Sequence, residues 1–467
     1  MLFSSIPFIF YFLPLVLLVY FLVPFRFKNA VLLFFSLFFY FWGEPKYTLL
    51  MLLSITISYF TGLLIEKYRG QKKAKFFLWC GVGAGLLFLG FFKYADFFIT
   101  NINALLGISI PVLRIALPIG ISFYTFQSIS YVIDVYRGDT KAQRNYVSLA
   151  TYVALFPQLI AGPIVRYTDI EKELTAREHS FARFSQGAFR FTVGLAKKVL
   201  IANQLGELCD IFRASGEKSV LFYWIYGISF CLHVYFDFSG YSDMAIGLGH
   251  IFGFHFNENF NYPYISASIT EFWRRWHMSL GSWFRDYVYI PMGGNRVSTP
   301  RWLFNIFVVW MLTGFWHGAD WNFILWGVYF GVFLILEKVW LGKIIAKLPS
   351  VLSHVYVLFL VLISFVIFNG VGMKGVFSDI AGLFGGGGIP LISQETVYYL
   401  RSYGVLLILG IVGATPLVRN TCLKLRDSIR TGALIGYLET PAMLVLLVMI
   451  TAYLVDGSFN PFLYFRF

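Results

Sequence analysis

The sequence predicts an all-α membrane protein that crosses the bilayer many times. Of its 467 residues, 58% are hydrophobic and only 13% are charged, whereas soluble domains carry about 25% charged residues. Apolar runs of roughly 14 to 24 residues follow one another, as expected for membrane helices. These runs are continuous and do not alternate with polar residues, which excludes a transmembrane β-barrel. We therefore expect one membrane domain over residues 1–467.

The apolar runs define fourteen candidate membrane segments. Several are too short for a span of about 20 residues, so some are expected to be re-entrant or tilted. The first is read as an uncleaved membrane helix because it lacks a basic start and a small-residue cleavage site. The candidate segments are 5–24, 29–42, 47–65, 76–92, 112–135, 146–162, 186–204, 219–237, 241–255, 302–315, 321–338, 352–369, 399–418 and 441–455.

Basic loops suggest an orientation for these segments. Loops 66–75, 136–145 and 419–430 are rich in Lys and Arg, the last through Arg419, Lys424, Arg426 and Arg430. Loops 43–46 and 370–397 carry one lysine each. The positive-inside rule then places the N-terminus outside.

Segment 146–162 has basic sequence on both sides and contains Pro157, Gly162 and Pro163. It is predicted to be a broken, re-entrant hairpin.

The net charge of +13 is attributed to these loops and to contact with anionic lipid, not to nucleic acid. The four cysteines are scattered and include no Cys-x-x-Cys pair. They predict neither a disulfide framework nor a metal site.

A polar group interrupts the apolar sequence between segments 219–237 and 241–255. It contains Asp237, Tyr241, Ser242 and Asp243, and His233 lies one turn before Asp237. It is either a polar clamp between helices or part of a pocket wall.

The longest polar stretch, residues 256–301, is predicted to contain an amphipathic helix at the membrane interface. Ser268 and Glu271 have the spacing of a capping box, and Thr270 is a second candidate cap. Trp273 and Trp276 belong to an apolar stripe at helical spacing, and Arg275 lies on another face. His277 lies beside the stripe, where it could face the protein interior.

A second histidine, His317, ends the next apolar run within Trp316-His317-Gly318-Ala319-Asp320. Ionisable groups at membrane depth are costly and usually functional. A histidine near its reference pKa can take a proton from a hydroxyl and return it. Trp316 would exclude water, Gly318 would leave room for substrate, and Asp320 would orient the imidazole if the backbone there is helical. No Gly-x-Ser-x-Gly elbow accompanies this motif.

Arginines flank this region at positions 274, 275, 285 and 296. Arg274, Arg275, Arg285 and Arg296 could bind the phosphates of a charged donor. For each arginine taken singly, anchoring to lipid headgroups is the simpler explanation.

The chain resembles the membrane-bound O-acyltransferase family, and within it the branch of bacterial alginate O-acetyltransferase membrane subunits. The resemblance covers nearly the whole chain and is specific through its combination of motifs. The motifs begin at Phe156 (Phe-Pro-Gln-Leu-Ile-Ala-Gly-Pro-Ile), Asp237 (Asp-Phe-Ser-Gly-Tyr-Ser-Asp-Met-Ala-Ile-Gly), Tyr262 (Tyr-Pro-Tyr), Phe272 (Phe-Trp-Arg-Arg-Trp-His), Tyr289 (Tyr-Ile-Pro-Met-Gly-Gly-Asn-Arg), Gly314 (Gly-Phe-Trp-His-Gly-Ala) and Asn460 (Asn-Pro-Phe-Leu-Tyr-Phe).

The resemblance implies that His317 is catalytic and that His277 is its partner. It implies a ring of roughly 11–14 membrane helices and re-entrant segments around a thinned centre with a tunnel, in a bacterial cytoplasmic membrane. Acetyl from cytoplasmic acetyl-CoA would reach an extracytoplasmic polysaccharide, often through a partner acetyltransferase, with no bound cofactor. The candidate substrate and tunnel residues are Trp316, Asp320, Trp273, Trp276, Arg274, Arg275, Arg285, Tyr241, Asp243 and Asn295.

Two other functions compete with this one. The same fold could transfer another acyl group, such as D-alanine from a carrier protein to teichoic acid. A transporter or conduit could use the tunnel without chemistry, although the chain lacks the internal repeats common in transporters. A purely structural scaffold fits the buried histidines poorly.

Overall fold

The computed structural model describes residues 1–428, 432–457 and 462–463. These residues form helices and connecting loops and include no β-strand, which confirms the all-α prediction. Eight helices are long and apolar enough to cross a membrane among the described residues. The chain is therefore a multi-pass membrane protein.

The helices follow one another closely along the chain. The α-helices are α1 Leu13–Leu22, α2 Phe25–Gly43, α3 Pro45–Lys67, α4 Lys72–Leu89, α5 Ala95–Leu106, α6 Ile121–Arg137, α7 Tyr146–Ala154, α8 Phe156–Leu159, α9 Tyr167–Thr175, α10 Phe181–Ala196, α11 Asn203–Ala214, α12 Val220–Phe252, α13 Ile269–Arg275, α14 Met278–Phe284, α15 Thr299–His317, α16 Trp321–Leu336, α17 Gly342–Ile345, α18 Ser350–Phe368, α19 Gly372–Leu383, α20 Gln394–Gly413, α21 Leu417–Asp427 and α22 Gly432–Asp456. Single π-helical turns lie at Phe8–Phe12, Gly90–Tyr94, Lys197–Ala202, Arg285–Tyr289 and Glu337–Leu341, and a 3₁₀ turn at Pro263–Ile265.

Large apolar side chains remain exposed along the long helices. In α22, for example, Leu434, Leu444 and Val448 are all exposed. Water would penalise so much exposed apolar surface, whereas lipid would not. The exposure pattern thus agrees with the membrane assignment.

Two predicted segments, 219–237 and 241–255, are one continuous helix, α12. The polar residues between them do not break it because they have partners on neighbouring helices. Lys198 lies 2.5 Å from Asp237, and Arg190 donates to Asp243. Conversely, predicted segment 112–135 becomes helical only at Ile121, after Gly120 adopts a left-handed backbone with φ of 74°.

Segment 146–162 is broken, as predicted. Helix α7 ends at Ala154, Leu155 has ψ of 112°, and α8 begins at Phe156. Residues 148–165 are all buried, so the interrupted backbone is shielded by protein. Its re-entry from the cytoplasmic side stays a prediction.

The described residues group into two compact units. The first contains Met1–Phe191 and Tyr241–Asn257, and the second contains Thr192–Gly240 and the described residues of Glu258–Leu463. Helices α10 and α12 supply residues to both units. The single domain over residues 1–467 stays a prediction.

In the first unit, α3, α4 and α6 pack against one another. The contact uses small residues: a Cβ on Gly62 would come within 2.9 Å of the Tyr131 hydroxyl, and one on Gly81 within 3.0 Å of Val132. Close helix packing through glycine is typical of membrane proteins. A cluster of buried rings, including Phe3, Phe8 and Phe156, fills another part of this unit.

In the second unit, α15 and α16 form a tight hairpin that also packs on α18. Its aromatic core includes Phe272, Trp276, Trp326 and Phe365.

Two predicted features fall partly outside the described residues: Arg430 of the basic loop, and all of the final motif except Phe462 and Leu463. The backbone N–H of Leu463 donates to Asp237 at 2.8 Å.

Candidate functional site

His317 is the last residue of α15 and is 3% exposed. The helix ends there because Gly318 is fully extended, with φ of −164° and ψ of 156°. Asp320 is exposed, and its side chain accepts the N–H of Trp321 at 2.6 Å as the cap of α16. The condition for Asp320 to orient His317, a helical backbone through both residues, is therefore not met.

Aromatic rings surround the His317 imidazole edge to face. Its ring centre lies 5.1 Å from that of Trp316, 4.9 Å from that of Trp326 and 5.5 Å from that of Phe368. Asn322 holds the last of these in place, since its side-chain amide donates to the Phe368 carbonyl at 3.0 Å. This shell keeps bulk water from the imidazole and fixes its plane.

Glycines bring α15 and α16 into backbone contact beside His317. A Cβ on Gly314 would overlap the Phe323 carbonyl oxygen and lie 3.0 Å from Gly327. A Cβ on Gly318 would overlap the Phe323 ring. The space next to Gly318, predicted to admit substrate, is thus occupied by Phe323.

His277 breaks the predicted amphipathic helix into two short helices. It has a left-handed backbone with φ of 44° and ψ of 53°, between the end of α13 at Arg275 and the start of α14 at Met278. A left-handed backbone is unfavourable for a residue with a side chain and often marks a functional position. The expectation of one uninterrupted helix is therefore wrong at this point.

Asn259 explains the break. Its carbonyl oxygen accepts the N–H of Met278 at 3.0 Å, and its side-chain Oδ1 accepts from Ser279 N–H and Oγ at 3.2 and 2.9 Å. The same Oδ1 lies 3.1 Å from His277 Nδ1. Asn259 is 1% exposed. Its sequence position indicated only a turn, so no signal identified it as a partner of His277.

This hydrogen bond selects one form of the His277 imidazole. An amide oxygen only accepts, so Nδ1 carries the proton and Nε2 keeps its lone pair. Burial lowers the pKa of His277 to about 3, which keeps the ring neutral near pH 7. Nε2 is buried and has no hydrogen-bond partner within the described part of the chain.

Trp316 links the two histidines. Its ring centre is 6.1 Å from that of His277 and 5.1 Å from that of His317. The structure therefore brings together the two residues that the sequence singled out, forty positions apart. Two buried imidazoles therefore lie beside one indole.

The two predicted tryptophans of α13 and its end, Trp273 and Trp276, pack among other aromatic rings. Trp276 is buried and stacks on Phe272 with ring centres 5.6 Å apart. Trp273 meets Trp310 edge to face at 4.5 Å. Trp276 belongs to the aromatic core of the second unit, and Trp273 packs against that core. Their packing accounts for them without requiring direct contact with a substrate.

The predicted arginines have different surroundings. Arg275 donates to Glu271 at 2.9 Å and to the carbonyl of Asn261 at 3.1 Å. Arg285 pairs with its neighbour Asp286. Arg274, Arg296 and Asn295 are exposed. Donor binding by this arginine set stays a prediction.

Glu337, which the sequence did not suggest, fixes the start of the helix leading to His277. Ser268 caps α13 by accepting the N–H of Glu271 at 3.0 Å, as its spacing predicted. The buried Glu337 carboxylate then accepts the N–H groups of Ile269 and Thr270 at 2.6 and 2.9 Å. Thr270 Oγ1 also donates to it, at 2.8 Å. A carboxylate at a helix start is favourable for both hydrogen bonding and the helix dipole.

The remaining predicted residues, Tyr241 and Asp243, belong to the first unit. Tyr241 stacks on Phe3 with ring centres 4.8 Å apart, and Asp243 pairs with Arg190 at 2.8 Å. In the second unit, His233 Nδ1 lies 2.7 Å from the Ala202 carbonyl. These contacts match the polar-clamp interpretation of this part of the sequence. No described group of three or more His, Cys, Asp or Glu is placed to hold a metal ion.

Comparison with known proteins relates the chain to membrane acyltransferases. A family model described as the membrane-bound O-acyltransferase family matches residues 141–370, which include both histidines. The chain is 40% identical to a probable alginate O-acetylase of Azotobacter vinelandii over 100% of both chains. It is 32% identical to the peptidoglycan O-acetyltransferase of Helicobacter pylori, over 100% of this chain and 98% of that one. It is 31% identical to the teichoic acid D-alanyltransferase of Bacillus subtilis, over 54% of this chain and 68% of that one.

Proposed function

Because the chain belongs to the membrane-bound O-acyltransferase family and is thus a membrane acyltransferase, we propose that it O-acetylates an extracytoplasmic polysaccharide. Acetyl-CoA in the cytoplasm supplies the acetyl group, and His317 is the general base. Relatives named for alginate and peptidoglycan acetylation, each aligned over nearly their full length, support this substrate class.

One observation carries the proposal: two buried imidazoles lie against a single indole, that of Trp316. A neutral imidazole can take a proton from a hydroxyl and return it within one catalytic cycle. The aromatic shell around His317 removes competing water, which would otherwise hydrolyse a thioester.

The reaction follows from these groups. A ring nitrogen of His317 takes the proton from the acceptor hydroxyl while that oxygen attacks the acetyl carbonyl carbon. The tetrahedral intermediate collapses by breaking the carbon–sulfur bond. The leaving coenzyme A thiolate then takes the proton from the imidazolium, which restores neutral His317. General base catalysis of this kind contributes about 10²–10⁴-fold to a rate.

His277 is the second participant. Its Nδ1 is committed to Asn259, so its Nε2 is left to accept a hydrogen bond from the substrate or to position the reacting group. The acceptor hydroxyl belongs either to the polysaccharide itself or, in the cell, to an extracytoplasmic partner protein that passes the acetyl group on. The proposal also places the N-terminus on the outer side of the membrane.

Transfer of D-alanine from a carrier protein is the second candidate, because the chain is also similar to a teichoic acid D-alanyltransferase. That similarity covers about half of this chain, whereas the acetylating relatives cover all of it. Acetyl transfer is therefore preferred.

Labelled acetyl-CoA given to the purified protein in liposomes, with a candidate polysaccharide acceptor, tests the proposal. Wild type should release coenzyme A and label the acceptor. His317→Gln should lose about 10²–10⁴-fold of that rate and His277→Gln a smaller factor, with both variants folded. Equal, non-zero rates for wild type and His317→Gln would overturn the role of His317 as general base. Passage of acetyl-CoA without coenzyme A release by either protein would favour a conduit without chemistry. Turnover of D-alanyl carrier protein, but not of acetyl-CoA, would favour the D-alanyl reaction.

A further inference from the structure

Arg177 occupies an unusual position in the first unit. It lies between α9 and α10 and is 8% exposed. Its guanidinium carbon is 4.5 Å from the ring centre of Phe254, 5.5 Å from that of Phe25 and 5.9 Å from that of Tyr20. Arginine is rarely buried without a partner, since the charge must be removed from water.

The Arg177 guanidinium has few acceptors for its five N–H donors. Among the described residues, none of its three nitrogens makes a hydrogen bond of good geometry, although the guanidinium interacts with the Tyr20 hydroxyl as a hydrogen-bond partner. The hydroxyl of Tyr20, whose electrostatic influence raises the pKa of Arg177, is already engaged. It donates to the Phe252 carbonyl at 2.7 Å and lies 2.9 Å from His179 Nε2. Burial outweighs this influence and lowers the pKa of Arg177.

Arg177 also lines an open cleft of about 460 Å³. The two acidic side chains of the cleft have their own partners. Glu173 accepts the N–H of His255 at 2.9 Å and lies 2.5 Å from its Nδ1, and Glu178 pairs with Arg183 at 3.4 Å. Arg183 also lines the cleft.

A second buried cation adds to the positive charge here. The ammonium of Lys28 lies 4.3 Å from the ring centre of Tyr20, on which Arg177 also packs. Burial, reinforced by Lys28 and Arg177, lowers the pKa of His179. The neighbourhood therefore favours an anion, and the fork of five N–H donors suits a tetrahedral oxyanion in particular.

We propose that this cleft binds a phosphate group through the Arg177 guanidinium. The phosphate belongs either to a phospholipid headgroup or to a water-soluble phosphate. Both present the same oxygens, and Arg–phosphate hydrogen bonds are charge-assisted and bidentate. Binding would supply the missing acceptors and remove the cost of a desolvated, unpaired charge. This site is independent of the proposed acetyl transfer.

Thermal unfolding of the full-length protein in detergent micelles tests the site with two probes. One series adds inorganic phosphate, and the other adds phosphatidylglycerol to the micelles, each against potassium chloride at equal ionic strength. One probe should raise the unfolding midpoint of wild type to a plateau. Arg177→Gln should weaken the apparent affinity by about tenfold or more. Arg183→Gln removes an equal charge from the cleft rim and should change it by less than about twofold.

The outcomes distinguish the sources. A plateau with phosphatidylglycerol alone identifies a lipid site, and one with inorganic phosphate alone identifies a soluble ligand. If neither probe exceeds the chloride control, or if Arg177→Gln responds like wild type, the proposal is wrong and Arg177 only packs on aromatic rings. Should Arg177→Gln fail to fold, Arg177→Lys replaces it. This variant keeps the charge without the fork, and an affinity equal to that of wild type would equally overturn the proposal.

Discussion

The surroundings of His277 and His317 differ although both imidazoles contact the indole of Trp316. His277 has a left-handed backbone and a polar neighbour, Asn259, that determines which nitrogen carries the proton. His317 ends a regular helix and is surrounded by the rings of Trp316, Trp326 and Phe368. The contact that orients His277 is a hydrogen bond to a distant side chain, and aromatic packing surrounds His317. Each should therefore respond to a different kind of substitution.

The largest effect is expected from adding a methyl group between α15 and α16, next to His317. In Gly314→Ala the new methyl group would overlap the Phe323 carbonyl, and backbone cannot move aside as a side chain can. We expect α15 and α16 to separate, with a loss of about 3 kcal/mol of stability and a fall in acyl-transfer rate. Thermal unfolding and the liposome assay measure the two effects.

Gly404→Ala is the matched control for this substitution. Gly404 lies within α20, and a Cβ there would meet nothing within 4 Å. Alanine should therefore stabilise the helix by up to about 1 kcal/mol. Equal stability of Gly314→Ala and Gly404→Ala would contradict the close contact of α15 with α16. Equal acyl-transfer rates would show that this contact does not position His317.

The sequence predicted the two histidines to different extents. His317 could be predicted from its local sequence, because it lies next to a glycine at the end of an apolar run. The bounds of α15 agree with that run. His277 was also identified locally, but its left-handed backbone was not. That conformation depends on Asn259, which is 18 residues away, and on contacts that no helical periodicity contains.

The errors in segment boundaries have a related cause. Asp237 and Asp243 suggested an interruption between segments 219–237 and 241–255, because charged residues rarely continue a membrane helix. Lys198 and Arg190 neutralise them from neighbouring helices, so α12 continues. Partners that are distant in sequence thus decide both where helices continue and where they break.

Changing Asn259 to aspartate should alter the pKa of His277 and leave the surroundings of His317 unchanged. Burial lowers the pKa of His277 to about 3, against about 6.5 in the unfolded chain. Between these values the unfolded state binds more protons, so stability falls as the pH drops below 6.5. The expected loss is about 2 kcal/mol between pH 6.5 and pH 5. In Asn259→Asp the new carboxylate raises the pKa of His277, and the acid-induced loss should shrink.

Unfolding midpoints of wild type, Asn259→Asp and His277→Gln between pH 5 and pH 7.5 check this prediction. The last variant has no titrating ring at this position, so it should also show the smaller acid dependence. Parallel pH profiles for all three proteins would mean that His277 is not the buried neutral group that the geometry indicates.

The smallest expected effect concerns Glu337, which acts on His277 at a distance. Its carboxylate accepts the N–H groups of Ile269 and Thr270 at the start of α13, and α13 ends two residues before His277. In Glu337→Gln an amide NH₂ replaces one accepting oxygen, so at least one of these bonds is lost at a cost of about 1 kcal/mol. If that cost appears as misplacement of His277, the turnover rate should fall about fivefold with the donor KM unchanged.

Glu217→Gln is the control, since Glu217 is exposed and should leave turnover unchanged. Glu337→Asp keeps the charge and should recover part of the rate. A purely structural cap would lower the unfolding midpoint without changing turnover per folded molecule. That result would assign Glu337 to the stability of α13 alone, leaving the strained backbone and Asn259 to position His277.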